Sequence, residues 1–264
     1  MTQNSGAKRP DVSVVFPAYN EAKNIPELVR RVGETFVGSG ATLEMIVVDD
    51  NSPDGTADVA EGLRPAYPNL KVLVRKNERG LATAVVRGWE IAGGRFLAAM
   101  DADLQHPPDV ILRLYKSAVE KDADMAVASR KVAGGGTSDW AFHRVVISNV
   151  ANIIAKVCLP VSLRGIGDTT TGAFLFKGDK VDLSKLSPRG FKIFLEVLVR
   201  GKFNKTVEVG YVFIERTAGQ SKMSLKQDVE FVIHLLKLGL VKGEIAVPAL
   251  ITVGLVGLVL KFFG

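Results

Sequence analysis

The sequence predicts an α/β fold in which a mostly parallel sheet is flanked by helices on both faces. Two observations carry this prediction. Short apolar runs alternate with amphipathic stretches through the first half of the chain. Loops rich in Asp, Asn and Pro directly follow the apolar runs, as expected where parallel strands end and ligands collect. The length, 264 residues, suits one large domain with at most one appendage.

The first strand is Val12 to Pro17, a β-branched run, and Ile25 to Phe36 follows as a helix with Pro26 in its first turn, where a missing N–H costs nothing. Leu43 to Asp49 is the second strand and Thr56 to Leu63 the helix after its turn. Lys71 to Arg75, Phe96 to Met100 and Met125 to Ala128 supply further strands, with helices over Leu81 to Ala92 and Pro108 to Glu120. The strands are almost continuously apolar, the pattern of strands covered on both faces.

Composition narrows the function classes. Hydrophobic residues make up 47% and charged residues 23%, which excludes a disordered or collagen-like chain. A net charge of +6 suits an anionic partner, but the basic residues are scattered, with neither a Lys/Arg run nor a basic-aromatic stripe, so no nucleic-acid partner is expected and a phosphate or membrane surface is favoured. The lone Cys158 cannot form an internal disulfide, cannot supply structural zinc, and reads as a buried thiol in a reducing compartment. Residues 1 to 11 lack an apolar core, so a cytosolic catalytic mass is expected. No Gly-x-Gly-x-x-Gly follows the first strand, and P-loop, nucleophile-elbow and His-Glu-x-x-His signatures are absent. Gly134 to Gly136 reads as a mobile loop, and His106, His143 and His234 as local hydrogen-bonding residues.

The chemistry is expected at the strand ends. Three polar loops, Pro17 to Glu21, Asp49 to Thr56 and Asp101 to Pro108, should converge on one edge. Turn and cap chemistry explains much of Asn51 to Gly55, but not Asp101 beside Asp103. Two carboxylates separated by one residue at a strand exit can face one divalent cation, and hard oxygen ligands suit Mg2+ or Mn2+, which would bridge to a diphosphate.

These loops, with Asn77 to Leu81, Ser129-Arg130, His143-Arg144 with Ser148, Asp168 to Gly172, Gly190 to Ile193 with Glu196, and Arg216 with Gly219 to Lys222, resemble the dolichyl-phosphate (polyprenyl-phosphate) mannosyltransferase family over about residues 11 to 225. Thr171 and Ala173 depart mildly from its pattern. The resemblance implies a GT-A type, Rossmann-like fold that moves mannose from GDP-mannose to dolichyl or polyprenyl phosphate with inversion, supplying mannolipid for glycosylation and GPI-anchor pathways. UDP-glucose is the alternative donor. It implies that Pro17, Tyr19, Glu21, Val48 and Asp50 hold the guanosine end, and that Asp101, Ala102, Asp103 and Gln105 form the diphosphate site, with Asp101, Asp103 and Gln105 as metal ligands. Arg130, Arg144, Ser148, Arg216 and Lys222 are implied to surround the donor and acceptor phosphates, with Arg130, Arg144 and Ser148 on the acceptor and Asp101, Asp103, Arg130 and Arg144 as the catalytic set.

Such an acceptor needs no general base, because a phosphate monoester with a second pKa of about 6 is anionic at neutral pH. The obstacle is the repulsion between two anions, which fixed guanidinium groups offset. Arg144 and Ser148, four residues apart, would share one helix face.

A lipid acceptor also fits the C-terminal sequence. After the catalytic domain at 1–224, residues 225–243 read as an amphipathic interface helix with Val229, Val232, Leu235, Leu236 and Leu240 near one stripe and Lys226, Glu230, His234 and Lys237 mostly opposite. Residues 244–264 read as a transmembrane anchor, since Ile245 to Leu260 is free of charge. The partners expected are therefore GDP-mannose, dolichyl phosphate and a lipid bilayer, with no accessory subunit required. The resemblance points to the endoplasmic reticulum membrane with the catalytic domain facing the cytosol, or alternatively to a prokaryotic plasma membrane.

Overall fold

The structure, a computed structural model, describes residues 9–138, 142–188, 190, 192–214 and 225–244, with the backbone alone of 142–144 and 225–229. Its frame is a seven-stranded sheet of β1 (Val12–Ala18), β2 (Leu43–Asp49), β3 (Leu70–Val74), β4 (Phe96–Ala99), β5 (Met125–Ser129), β7 (Phe174–Lys177) and β8 (Thr206–Gly210). The order across the sheet is β3-β2-β1-β4-β7-β5-β8, and β7 alone runs antiparallel to its two neighbours. A parallel pair, β6 (Gly136–Thr137) and β9 (Val212–Phe213), lies apart from it.

The alternation of side chains along β1 builds two cores. Val12, Val14 and Phe16 face the layer of α1 (Ile25–Phe36), α2 (Thr56–Leu63) and α4 (Val110–Glu120). Val15 faces the layer of α3 (Leu81–Glu90), α5 (Phe142–Cys158), α6 (Ile193–Arg200) and α7 (Leu225–Lys242). Helix α3 lies close on β1: a Cβ on Gly88 would sit 2.5 Å from Val15 Cγ1. Trp89, one residue on, donates its indole N–H to the Ala98 carbonyl at 3.0 Å and meets Phe176 edge-on at 5.0 Å. Cys158 is buried as expected, and burial pushes its thiol pKa up.

Gly135 packs closely, since a Cβ there would lie 2.5 Å from the Ser129 carbonyl oxygen, and Gly136 pairs with Val212 in the small ladder. One expectation needs correction. On α7 the buried face holds Phe231, His234, Leu235 and Leu238, whereas Leu240 is 65% exposed. The face is set by docking onto α5 and α6, where buried Glu196 lies 3.4 Å from His234 and pairs with Arg200, a polar anchor that draws His234 inward. The expected transmembrane anchor at 244–264 lies, apart from Glu244, outside the described residues. Among the described residues, no helix is long and apolar enough to cross a membrane.

Candidate active site

The first two polar loops are tied together at the ends of β1 and β2. Asp49, fully buried, accepts the Ser52 backbone N–H at 2.9 Å and its hydroxyl, while Ser52 Oγ accepts from the Asn20 N–H at 2.9 Å. Asn20 and Asn51 take left-handed backbone conformations, φ 58° and 55°, that Asn adopts with little strain. Asp50 accepts two N–H groups of Arg75, at 2.7 and 2.5 Å, and the Gly80 N–H at 2.8 Å, which fixes residues 75–80 above the strand ends. Arg79 then lies over the Tyr19 ring at 4.9 Å. The Glu21 side chain accepts from Asn24 at 2.7 Å. Val48 is fully buried under α3. Pro17 at the end of β1, and Tyr19, Glu21 and Asp50 on the loops that follow β1 and β2, therefore stand at one edge, as the strand-end rule requires.

The loop after β4 leaves its carboxylates at that same edge. Asp101 is partly buried, Ala102, Asp103 and Gln105 are buried, and Leu104 turns the chain with φ 61°. Gln105 donates its backbone N–H to Asp103 Oδ1 at 3.1 Å and its amide to the Ile214 carbonyl at 3.1 Å. Gly172 closes over Asp101 so tightly that a Cβ there would lie 2.1 Å from Oδ2 and 2.8 Å from Cγ. His106 stacks on Tyr211 at 5.2 Å, and burial pushes its pKa down to about 4, so it supports the loop as a neutral ring at pH 7.

Asp101, Asp103 and Gln105 fit a hard divalent cation in donor chemistry. All would present oxygen, and the Gln105 amide nitrogen is turned to Ile214. Among the described residues, no group of three His, Cys, Asp or Glu side chains converges as a complete cage. A cation here would draw its remaining ligands from a substrate diphosphate and water, which is the usual habit of Mg2+.

The third part of the site lies on the segment before β7. Arg130, at the end of β5, donates through Nε and Nη2 to Asp168 at 2.7 and 2.8 Å, and through Nη2 to Thr170 Oγ1 at 2.6 Å. Asp168 is fully buried and its pKa falls to about 2: burial opposes ionisation, but the Arg130 pair and the N–H groups of Arg130 and Thr170 outweigh it. Glu208 of β8 accepts the Gly167 and Asp168 N–H groups at 2.8 and 3.2 Å, and Asn152 of α5 accepts from Thr169. Lys192 donates to the Thr170 carbonyl at 2.7 Å. Desolvation brings its pKa down to about 8, with the negative field of Asp101 opposing that fall.

Thr170 bonds to a residue of each of two clefts, Arg130 and Lys192. One is lined by Pro17, Asp101, Thr171, Gly172 and Lys192. The other is lined by Arg130, Lys131, Thr137, Val145 and Ser148. Arg130 and Ser148 thus line one cleft. The Arg144 side chain, Arg216 and Lys222 lie outside the described residues.

Sequence reasoning did not single out Arg75, Lys192, or Asp168 as the holder of Arg130. Lys192 had a signal, its place in the Gly190 to Ile193 motif. Asp168 stands thirty-eight residues from Arg130, and only the pairing of β5 and β7 brings them together.

Residues 13–181 match glycosyl transferase family 2. A dolichol-phosphate mannosyltransferase from Pyrococcus furiosus is 42% identical over 89% of this chain, which spans 65% of that protein's length. One from Saccharomyces cerevisiae is 35% identical over 86% of each. A polyprenol monophosphomannose synthase from Mycolicibacterium smegmatis is 37% identical over 80% of each. Among solved structures, mannosyl-3-phosphoglycerate synthase from Rubrobacter xylanophilus superposes with a TM-score of 0.65 at 18% identity, covering 90% of this chain and 77% of that one. Glucosyl-3-phosphoglycerate synthase from Mycobacterium tuberculosis, in complex with Mn2+ and UDP, gives 0.60 at 15% identity, covering 90% of this chain and 85% of that one. At such identities the likeness shows the fold, an α/β GT-A-like sheet flanked by helices. The sequence match carries the family, and the chain belongs to glycosyl transferase family 2.

Proposed function

We propose that the chain transfers mannose from GDP-mannose to the phosphate of dolichol or a related polyprenol, with inversion and with Mg2+ or Mn2+ on Asp101, Asp103 and Gln105. The observation that carries this reading is that Thr170 bonds both Lys192, which lines a cleft with Asp101, and Arg130, which lines a cleft with Ser148. The names of the relatives, mannosyl synthases acting on dolichol or polyprenol phosphates, support the same reading.

The chain's own residues then divide the work. The loops of Tyr19, Glu21 and Asp50 bind the nucleoside end, and Asp101 and Asp103 orient the diphosphate; a divalent cation, when bound, offsets the charge of the leaving group. Arg130, held in one orientation by Asp168 and Thr170, directs guanidinium charge at an anionic acceptor beside Ser148. An oxygen of that phosphate forms the bond to the anomeric carbon as the bond to the nucleotide breaks, the electron pair leaving with GDP. No proton has to be moved, so no general base is required.

The bilayer supplies the acceptor in this reading. Helix α5 exposes Val146, Ile147, Ile153 and Val157, and its neighbour α7 exposes Ile233, Leu240 and Val241, an apolar surface suited to the interface with lipid. The 244–264 segment would anchor it there, in the endoplasmic reticulum or a prokaryotic plasma membrane.

Donor choice is tested by incubating the protein and dolichyl phosphate with GDP-mannose or UDP-glucose and Mn2+, and resolving the anomer of the lipid product by NMR. The β-mannosyl lipid is expected. Glucolipid alone, or an α-linked product, would contradict the assigned donor or the inversion.

A further inference from the structure

We infer that Asn152 is a positioning residue for the acceptor phosphate: from α5 it clasps both neighbours of Asp168, and so sets how Ser148 stands against Arg130. This rests on the proposed transfer reaction and adds to it a residue that touches neither substrate. Asn152 Oδ1 accepts the Thr169 backbone N–H at 2.9 Å and the Thr169 hydroxyl at 2.6 Å, and Nδ2 donates to the Gly167 carbonyl at 3.0 Å. A carbonyl can only accept and a backbone N–H can only donate, so both ends of the amide are committed and its orientation is fixed. Thr169 is fully buried, so loss of the amide would strand its N–H and hydroxyl away from water. Asparagine is a poor residue for the inside of a helix, where its amide competes with the backbone. Asn152 nevertheless stands inside α5 and directs its side chain to another segment.

The two walls of the acceptor cleft come from different elements. Arg130 follows β5 and is aimed by Asp168 and Thr170, whereas Ser148 belongs to α5 and lines the same cleft. Ser148 and Asn152 are four residues apart, about one turn along one face of the helix. The clasp thus joins the helix that carries one wall to the residue that aims the other. Glu208 ties the same segment to the sheet through the Gly167 and Asp168 N–H groups, so Asp168 stands between a sheet tie and a helix tie. Tyr19, Asp50 and Asp101 lie on the loops after β1, β2 and β4. Slack in α5 is therefore felt at the acceptor and not at the donor, and a displacement of about an ångström is enough to slow transfer.

Initial rates of the full chain with Mn2+, varying dolichyl phosphate and GDP-mannose in turn, test this for wild type, Asn152→Ala, Ser148→Ala and the double variant. Asn152→Ala is expected to raise the KM for dolichyl phosphate by about tenfold and to leave that for GDP-mannose within about twofold. In the Ser148→Ala background the same change should raise the acceptor KM by less than about threefold, because the hydroxyl to be placed is gone. Equal losses for both substrates, unchanged kinetics in a folded variant, or effects that multiply across the two sites would overturn the inference, since a merely structural asparagine does not separate acceptor from donor. Thr169→Val removes one bond of the clasp and keeps the shape, so it serves where Asn152→Ala does not fold: a rise of about threefold in acceptor KM alone supports the clasp, and no rise overturns it. Wild type that forms no mannolipid would overturn the transfer reading itself, and the role of Asn152 with it.

Discussion

Replacing Asp168 with Ala is expected to destabilise the protein by ~3 to 5 kcal/mol, because it leaves the Arg130 guanidinium buried without its counter-charge. The Arg130 and Asp168 side chains are 6% and 0% exposed, so water cannot substitute for the carboxylate. Asp168→Asn keeps the shape and removes the charge, and should lose less stability. The pair also predicts an acid arm. With a folded pKa of about 2, below the ordinary carboxylate value, Asp168 contributes stability above pH ~4 that is lost as pH falls through the window from ~4 to ~2. The contribution is on the order of 2 kcal/mol. Urea midpoints across that range should fall more steeply for wild type than for Asp168→Asn. Parallel pH profiles would mean that the pair does not supply the acid sensitivity.

Gly172→Ala is expected to cut transfer by about a hundredfold with a much smaller effect on stability. The new methyl carbon would stand 2.1 Å from Asp101 Oδ2, well inside contact distance, so the carboxylate must turn away from its place at the cleft. Displacing a binding group by about an ångström is enough for a loss of that size. Gly172 has no left-handed backbone angle, so the penalty comes from space alone. Mn2+ affinity, followed by titration, should fall together with turnover. Unchanged transfer in a folded Gly172→Ala protein would show that Asp101 tolerates displacement and has no positional role.

The first half of the fold was legible because its strands are short, mostly apolar runs and its amphipathic helices lie between them. Ile25–Phe36, Leu43–Asp49 and Thr56–Leu63 match the expected bounds. The second half was not. Phe174–Lys177 is a four-residue run that inserts antiparallel between β4 and β5, and nothing local marks such a choice of neighbours. Strand β8 carries Glu208 for the amides of Gly167 and Asp168, a polar purpose that weakens its apolar signal. In α7 the periodicity gave a stripe through Leu240, but tertiary contact with Glu196 turned His234 inward instead.

The site divides in the same way. The loops that carry Asp101, Asp103 and Gln105, and Tyr19, Glu21 and Asp50, could be placed at one edge because they follow directly on apolar strands; the part proposed for each residue comes from the family resemblance. Partners across long separations could not. The Arg75–Asp50 clamp joins the ends of β3 and β2, and the Arg130–Asp168–Thr170 brace joins β5 to the segment before β7. Each depends on strand order, which local sequence leaves open.

The most direct test of the account is mannolipid formation from labelled GDP-mannose and dolichyl phosphate, measured with Mn2+, with chelator, and with Asp103→Ala. The account predicts product that requires the metal and falls by at least two orders of magnitude in the variant, in line with the loss of a main electrostatic group at a transferring centre. Product formed equally well with chelator or by Asp103→Ala would contradict it, because the strand-end carboxylates would then have no part in holding the donor.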